Sequence, residues 1–207
     1  MAKALGALKK LSASRATSVE IPQIMLDIQR QSDRGACIVM VAFTDGMLAK
    51  SLSYRLKGVE EDEIFGEFKP LYSLDSKIVT GQAIGIYGPE TRKFLVALKD
   101  LRNFFAHSSV ASNFDTPEVS NYCDSQFGNI AWLSPLFDQI VPIYGSGKKY
   151  RDLVIINAIC VCIMLNYSLG QYELAKVRDP AIHSKELDRL SSAFEKFSIS
   201  HIRLPLP

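Results

Sequence analysis

The sequence predicts an all-α fold, a multi-helix bundle, on three observations. Two long apolar stretches, 35–56 and 153–170, have the length of buried helices rather than strands. The segment "PETRKFLVALKDLRNFFAHSS", 89–109, sets its apolar residues at helical spacing without strand-like alternation. Helix-start signals recur, with proline at the first helical position at Pro89 and again at Pro117 behind a Thr116 cap. A chain of 207 residues buries a sizeable core without staples, so one helical domain over 18–207 is expected behind a basic arm, 1–17.

Residues 2–12 carry Ala, Leu and Lys at helical spacing and read as a frayed arm; no uninterrupted apolar core with a cleavage-type signal follows the basic residues, so it is expected to be retained. Thr17 or Ser18 precedes a short helix in "VEIPQIMLDIQRQSD", with Ile24, Leu26 and Ile28 as apolar positions and Pro22 early in it. Gly35 punctuates, and the first long apolar helix follows.

In the segment 58–88 the acidic start reads as a solvated loop or helix entry. Phe65 and Phe68 read as core plugs, and Pro70 as the first turn of a helix ending near Gly88. The helix opened by Pro89 should run to about Ser108. The next has Thr116 as cap, Pro117 first and Glu118 in its first turn. Residues 126–150, with Pro135, Pro142, Gly145 and Gly147, read as a short helix or turn-rich connection. "GSGKK" there is rejected as a phosphate loop, because the first glycine is missing and no Ser or Thr follows the lysine pair. A last helix after Ser184 sets Leu187, Leu190, Phe194 and Phe197 on one face. No internal repeat is visible.

With 47% hydrophobic and 22% charged residues the composition is that of a globular chain, and a net charge of +2 excludes a broad polyanion-binding footprint. Cys37, Cys123, Cys160 and Cys162 form no CxxC and stand far in sequence from His107, His183 and His201, so no metal site and no cofactor are expected. Cys160 and Cys162 sit in an apolar run as small hydrophobes, which suits a reducing cytoplasm. Asp45 and Lys50 interrupt the first apolar stretch and Asn157 the second. Both therefore read as buried helices rather than membrane spans, and the second equally as a dimer seam.

On a helix each residue advances about 100 degrees, so 89–108 can be plotted directly. Phe94, Ala97, Leu98, Leu101, Phe104 and Phe105 share one sector, the core face. Asp100, Asn103 and His107 form a polar stripe opposite, with Lys99 and Arg102 beside it. Cleavage of RNA through its own 2′-OH needs a group that moves protons near neutral pH and a fixed cation for the phosphate, roles open to His107 and Arg102 without a metal. Asn103 would orient the imidazole or donate to phosphate, and Asp100 would favour imidazolium. Structural roles account for the same residues: His107 closing the last carbonyls, Asn103 bonding His107, and Arg102 pairing with an acidic neighbour on another helix.

The order "SLDSKI" (73–78), "AIG" (83–85), "LKDLRNFFAHS" (98–108) and "FDTPEVSNYC" (114–123) resembles the mannitol operon repressor family over residues 34–123. That resemblance implies an all-α cytoplasmic protein of gene regulation, working through a protein partner because no direct DNA-reading motif is present. Lys77 falls in the family-like "KI" pair and reads as a semi-buried ion pair or snorkelling lysine. "RNFFAH" also resembles the arginine-to-histidine signature of HEPN domains, helical bundles that include metal-independent RNases. By that resemblance Arg102 and His107 would be the catalytic pair, Asn103 its neighbour, and a dimer would bring two copies around one cleft.

The leading expectation is therefore a cytoplasmic, homodimeric helical regulator acting on a protein partner; the alternative is a HEPN-type endoribonuclease of toxin or defence type, and a third reading is a small-ligand sensor with the stripe lining a pocket.

Overall fold

The computed structural model describes residues 21–56, 60–108, 112–128 and 134–170. Among them the chain is all helical: α1 Ile21–Gln29, α2 Asp33–Arg55, α3 Glu61–Phe65, α4 Leu74–Ala83, α5 Pro89–His107, α6 Pro117–Phe127, α7 Ser134–Tyr144 and α8 Lys149–Gly170. The expected arm at 2–12, the caps Thr17 and Ser18, and the last helix after Ser184 lie outside the described residues, as do His183 and His201.

The two apolar stretches become α2 and α8, which pack on each other at the centre. Around them α1, α4 and α5 cover α2, and α5, α6 and α7 cover α8. Val154, Ile156, Ala158, Ile159, Cys160 and Cys162 are buried around the whole circumference of α8, so the bundle itself supplies the cover that its apolarity requires. Among the described residues one helix, α2, is long and apolar enough to cross a membrane by length and composition, and most of that stretch is buried inside the bundle. Its buried hydroxyls are satisfied within the helix: Thr44 donates to the Met40 carbonyl at 2.9 Å and Ser51 to that of Met47 at 3.0 Å. Asn157 likewise donates to the Leu153 carbonyl at 2.6 Å, which keeps a polar residue in a buried helix.

Gly35 lies inside the first turn of α2 instead of ahead of it. Ser32 is the cap, its hydroxyl accepting from Gly35 N at 3.2 Å, and the helix begins two residues before the glycine. Phe68 is not a core plug: it is 91% exposed with φ of 62°, at a turn closed by Lys69 N to Gly66 O and Leu71 N to Ile64 O. Leu71 enters the core there instead, beside the half-buried Phe65.

Pro70 lies in that turn rather than at a helix start. The helix α4 begins after Ser73, whose hydroxyl accepts from Ser76 N at 3.0 Å. It stops five residues before Gly88 because Gly85, with φ of 72°, lets Ile86 N reach Gly81 O and Gly85 N reach Gln82 O, a closed C-terminal turn.

Gly81 also seats Tyr87: a Cβ there would stand 2.6–2.8 Å from the phenol, whose hydroxyl donates to the buried Ile78 carbonyl at 2.7 Å. Gly81→Ala is expected to force the ring off that carbonyl and cost about 1–3 kcal/mol, read as a lower urea midpoint with an unchanged slope.

Pro89 and Pro117 start α5 and α6 as expected. Thr116 takes the cap position without a side-chain cap bond; its hydroxyl turns back to Asn113, accepting from Asn113 N at 3.0 Å. That tight loop carries Phe114, fully buried against Phe105 at 5.2 Å between ring centroids. The connection at 126–150 contains a true helix, α7, with Pro142 inside it. "GSGKK" folds around Asp152, whose carboxylate accepts from Ser146 N at 2.8 Å and Gly147 N at 3.0 Å, so those amides are already engaged.

Two of the ion pairs between helices have a buried cation. Lys77 reaches both oxygens of Asp45 on α2, at 2.7 and 2.9 Å, with the lysine side chain 7% exposed. Arg151 on α8 meets Asp33 at 2.6 Å with both side chains buried, and its second nitrogen holds the carbonyls of Ile28 and Gln31 at 2.6 and 3.1 Å.

All four cysteines are free and buried. Burial, first among the causes, pushes the thiols of Cys37, Cys123 and Cys162 up to about 12 and raises that of Cys160 as well. A thiol-reactive chromophore at pH 8 is therefore expected to label none in the native protein and four after denaturation, since the thiolate is the reacting form.

Candidate functional site

The C-terminal end of α5 is held from below by its core face. Phe94, Ala97, Leu98, Leu101 and Phe105 are buried, and Phe94 meets Phe127 of α6 edge-on at 5.3 Å. Phe104 departs from the expected core face: it is 42% exposed, at the border between the core sector and the polar stripe, and touches Phe105 edge-on. An aromatic ring therefore stands in solvent one helical turn from His107.

Arg102 and His107 are exposed and Asn103 is half-buried. The guanidinium of Arg102 donates through Nη1 to Asn103 Oδ1 at 3.0 Å, and no acidic neighbour takes it among the described residues. His107 makes no hydrogen bond among the described residues, to Asn103 or to any other group. Five positions separate Arg102 from His107, about 7.5 Å along the axis and roughly 140 degrees around it.

Asp100 does not pair with His107. Its carboxylate lies 3.8 Å from Lys99 Nζ and near the phenol of Tyr122, whose pKa burial and then Asp100 push up to about 12. Lys99 in turn is drawn to Asp75 on α4 at 2.6 Å, and that hydrogen bond raises the ammonium pKa above its ordinary value.

The residue that sequence reasoning missed is Arg34, in the first turn of α2. Its Nε donates to the carbonyl of Phe105, and its Nη2 to those of Ser108 and, at 3.4 Å, Ala106. A helix ends with unsatisfied carbonyls, and Arg34 supplies three of them from another helix. No local pattern announces this contact, because its partners lie more than seventy residues away.

The structural roles open to the motif are thus filled otherwise. Arg34 closes the helix end in place of His107, Asn103 bonds Arg102 rather than His107, and Arg102 holds no acidic partner among the described residues. A planar cation, an amide, an imidazole and an exposed ring remain at the end of a rigid helix. No family model, curated protein or solved structure matches the chain.

Proposed function

We propose that the end of α5 is the working site of the chain, and that the protein is a metal-independent endoribonuclease of the HEPN type acting in the cytoplasm. The observation that carries this reading is the exposure of Arg102 and His107 on a helix end that Arg34 already caps, so that among the described residues neither side chain is tied to another element of the fold.

In the reaction, the RNA 2′-oxygen attacks the adjacent phosphorus as its proton leaves. The bond from phosphorus to the 5′-oxygen then breaks, with a proton delivered to that oxygen. His107 moves protons, and Arg102 neutralises charge on the pentacoordinate phosphate. Two copies facing across one cleft would supply separate histidines for base and acid. Asn103 fixes the guanidinium.

The test is incubation of labelled single-stranded RNAs with the folded protein in EDTA. Cleavage to 2′,3′-cyclic phosphate and 5′-hydroxyl ends, with DNA untouched, is the expected result. RNA left intact by wild type overturns the reading for the sequences offered.

A second reading is favoured by Phe104: a half-exposed ring beside a polar stripe also suits a protein contact. On this reading the chain is a regulator resembling the mannitol operon repressors, binding its partner through α5. It predicts a stable complex that survives His107→Ala and weakens with Phe104→Ala.

A further inference from the structure

A cavity of about 400 Å³ opens where the α1–α2 turn, the end of α5, the 112–116 loop and the loop before α8 meet. Arg102, Asn103 and His107 do not line it, so it stands apart from the site proposed above. Its volume is in the range that holds a small organic ligand, about 300–1,000 Å³.

The charge at this corner does not balance. Asp33 is the one carboxylate in the wall, and it is already held by Arg151 at 2.6 Å and by Phe114 N at 3.1 Å. Lys148 stands 3.7 Å from the same oxygen with its side chain 55% exposed, a second cation on a carboxylate that needs only one. Arg34 spends Nε and Nη2 on the carbonyls of α5, while its Nη1 has no hydrogen bond among the described residues.

The neutral groups lean the same way. The Ser32 oxygen accepts from Gly35 N, which leaves its proton to donate. Asn113 Oδ1 accepts from Asp115 N and from Thr116, which leaves the amide NH₂ to donate. A wall rich in unspent donors, with two cations and a neutralised acid, selects an oxyanion.

The geometry points to a binding site for a phosphate monoester of a small polar metabolite. Lys148 and Arg34 hold the phosphoryl oxygens, and Ser32 and Asn113 donate to the oxygens that remain. The ammonium supplies a point charge and the guanidinium edge a directed donor, a pairing suited to a dianion.

The test is calorimetric titration at low salt of the full chain with inorganic phosphate, glycerol 3-phosphate and adenosine 5′-monophosphate, with glycerol and adenosine as uncharged controls. Wild type is compared with Lys148→Ala and Lys148→Glu, both checked for folding by circular dichroism; the 55% exposure of Lys148 makes the alanine change mild, and the glutamate sets a second carboxylate near Asp33. At least one phosphorylated probe should bind, the controls should not, Lys148→Ala should weaken binding about tenfold or more, and Lys148→Glu should abolish it. Binding of inorganic phosphate as tight as that of the esters assigns the site to the phosphoryl group alone; tighter binding of one ester identifies the body. No binding of any probe to folded wild type, or binding unchanged in Lys148→Glu, overturns the assignment. RNA cleavage enters neither outcome.

Discussion

Arg151→Ala is expected to cost about 3–5 kcal/mol of folding stability, a large share of the roughly 5–15 kcal/mol available to a domain. The substitution strips Asp33, at 5% side-chain exposure, of its arginine partner, and it also takes the donor from the carbonyls of Ile28 and Gln31. Lys148, at 3.7 Å and largely in solvent, replaces little of that interaction. Urea unfolding followed by circular dichroism measures it.

The companion variant Asp33→Asn with Arg151→Met removes both charges. It keeps an oxygen for Phe114 N, which donates to Asp33 at 3.1 Å, and should recover most of the loss. Removing both members of a buried pair is far gentler than removing one. A loss below about 1 kcal/mol for Arg151→Ala would mean that water enters the site and that the pair is not buried in solution.

His107→Ala is expected to lower RNA cleavage by about 10²–10⁴-fold, the range for losing a positioned proton-transfer group, with stability changed by no more than about 0.5 kcal/mol. Both halves follow from one fact: the side chain is exposed and makes no hydrogen bond among the described residues. Arg102→Lys sharpens the test, since it keeps the charge but loses the planar fork and the directed bond to Asn103. Single-turnover rates on one labelled RNA in EDTA should fall in both variants while their urea midpoints stay at that of wild type. Equal rates in all three proteins would remove α5 from the chemistry.

The helices were legible where local chemistry decides them. Pro89 and Pro117 start α5 and α6 because a fixed φ and a missing N–H suit a first turn in any context. The length and apolarity of the two central stretches likewise needed no tertiary information. Gly35 misled because a glycine tolerated within a first turn looks like punctuation, while the cap lay in the hydroxyl of Ser32. Phe68 and Phe104 misled because hydrophobicity predicts burial only when the backbone turns the ring inward. At Phe68 the positive φ of the turn points the ring out, and at Phe104 the ring lies at the edge of the sector.

At the site, the residues of the stripe could be named from spacing alone, whereas their surroundings could not. Arg34 and Arg151 act across 71 and 118 residues of sequence, and a helical wheel has no term for such partners. Lys77 reads from the sequence as either a semi-buried ion pair or a snorkelling lysine, and its contact with Asp45 selects the first.

The pairing of α2 with α8 carries a consequence for synthesis. These helices are joined by contacts such as Arg151 to Asp33 and Cys162 to Thr44, each spanning 118 residues. At about 5–20 residues per second, a ribosome needs on the order of ten seconds to add that length. Throughout that interval the apolar face of α2 has left the ribosome without its principal cover. The nascent chain is thus a ready client for a holding chaperone, and a pause in translation ahead of α8 would lengthen its exposure to aggregation.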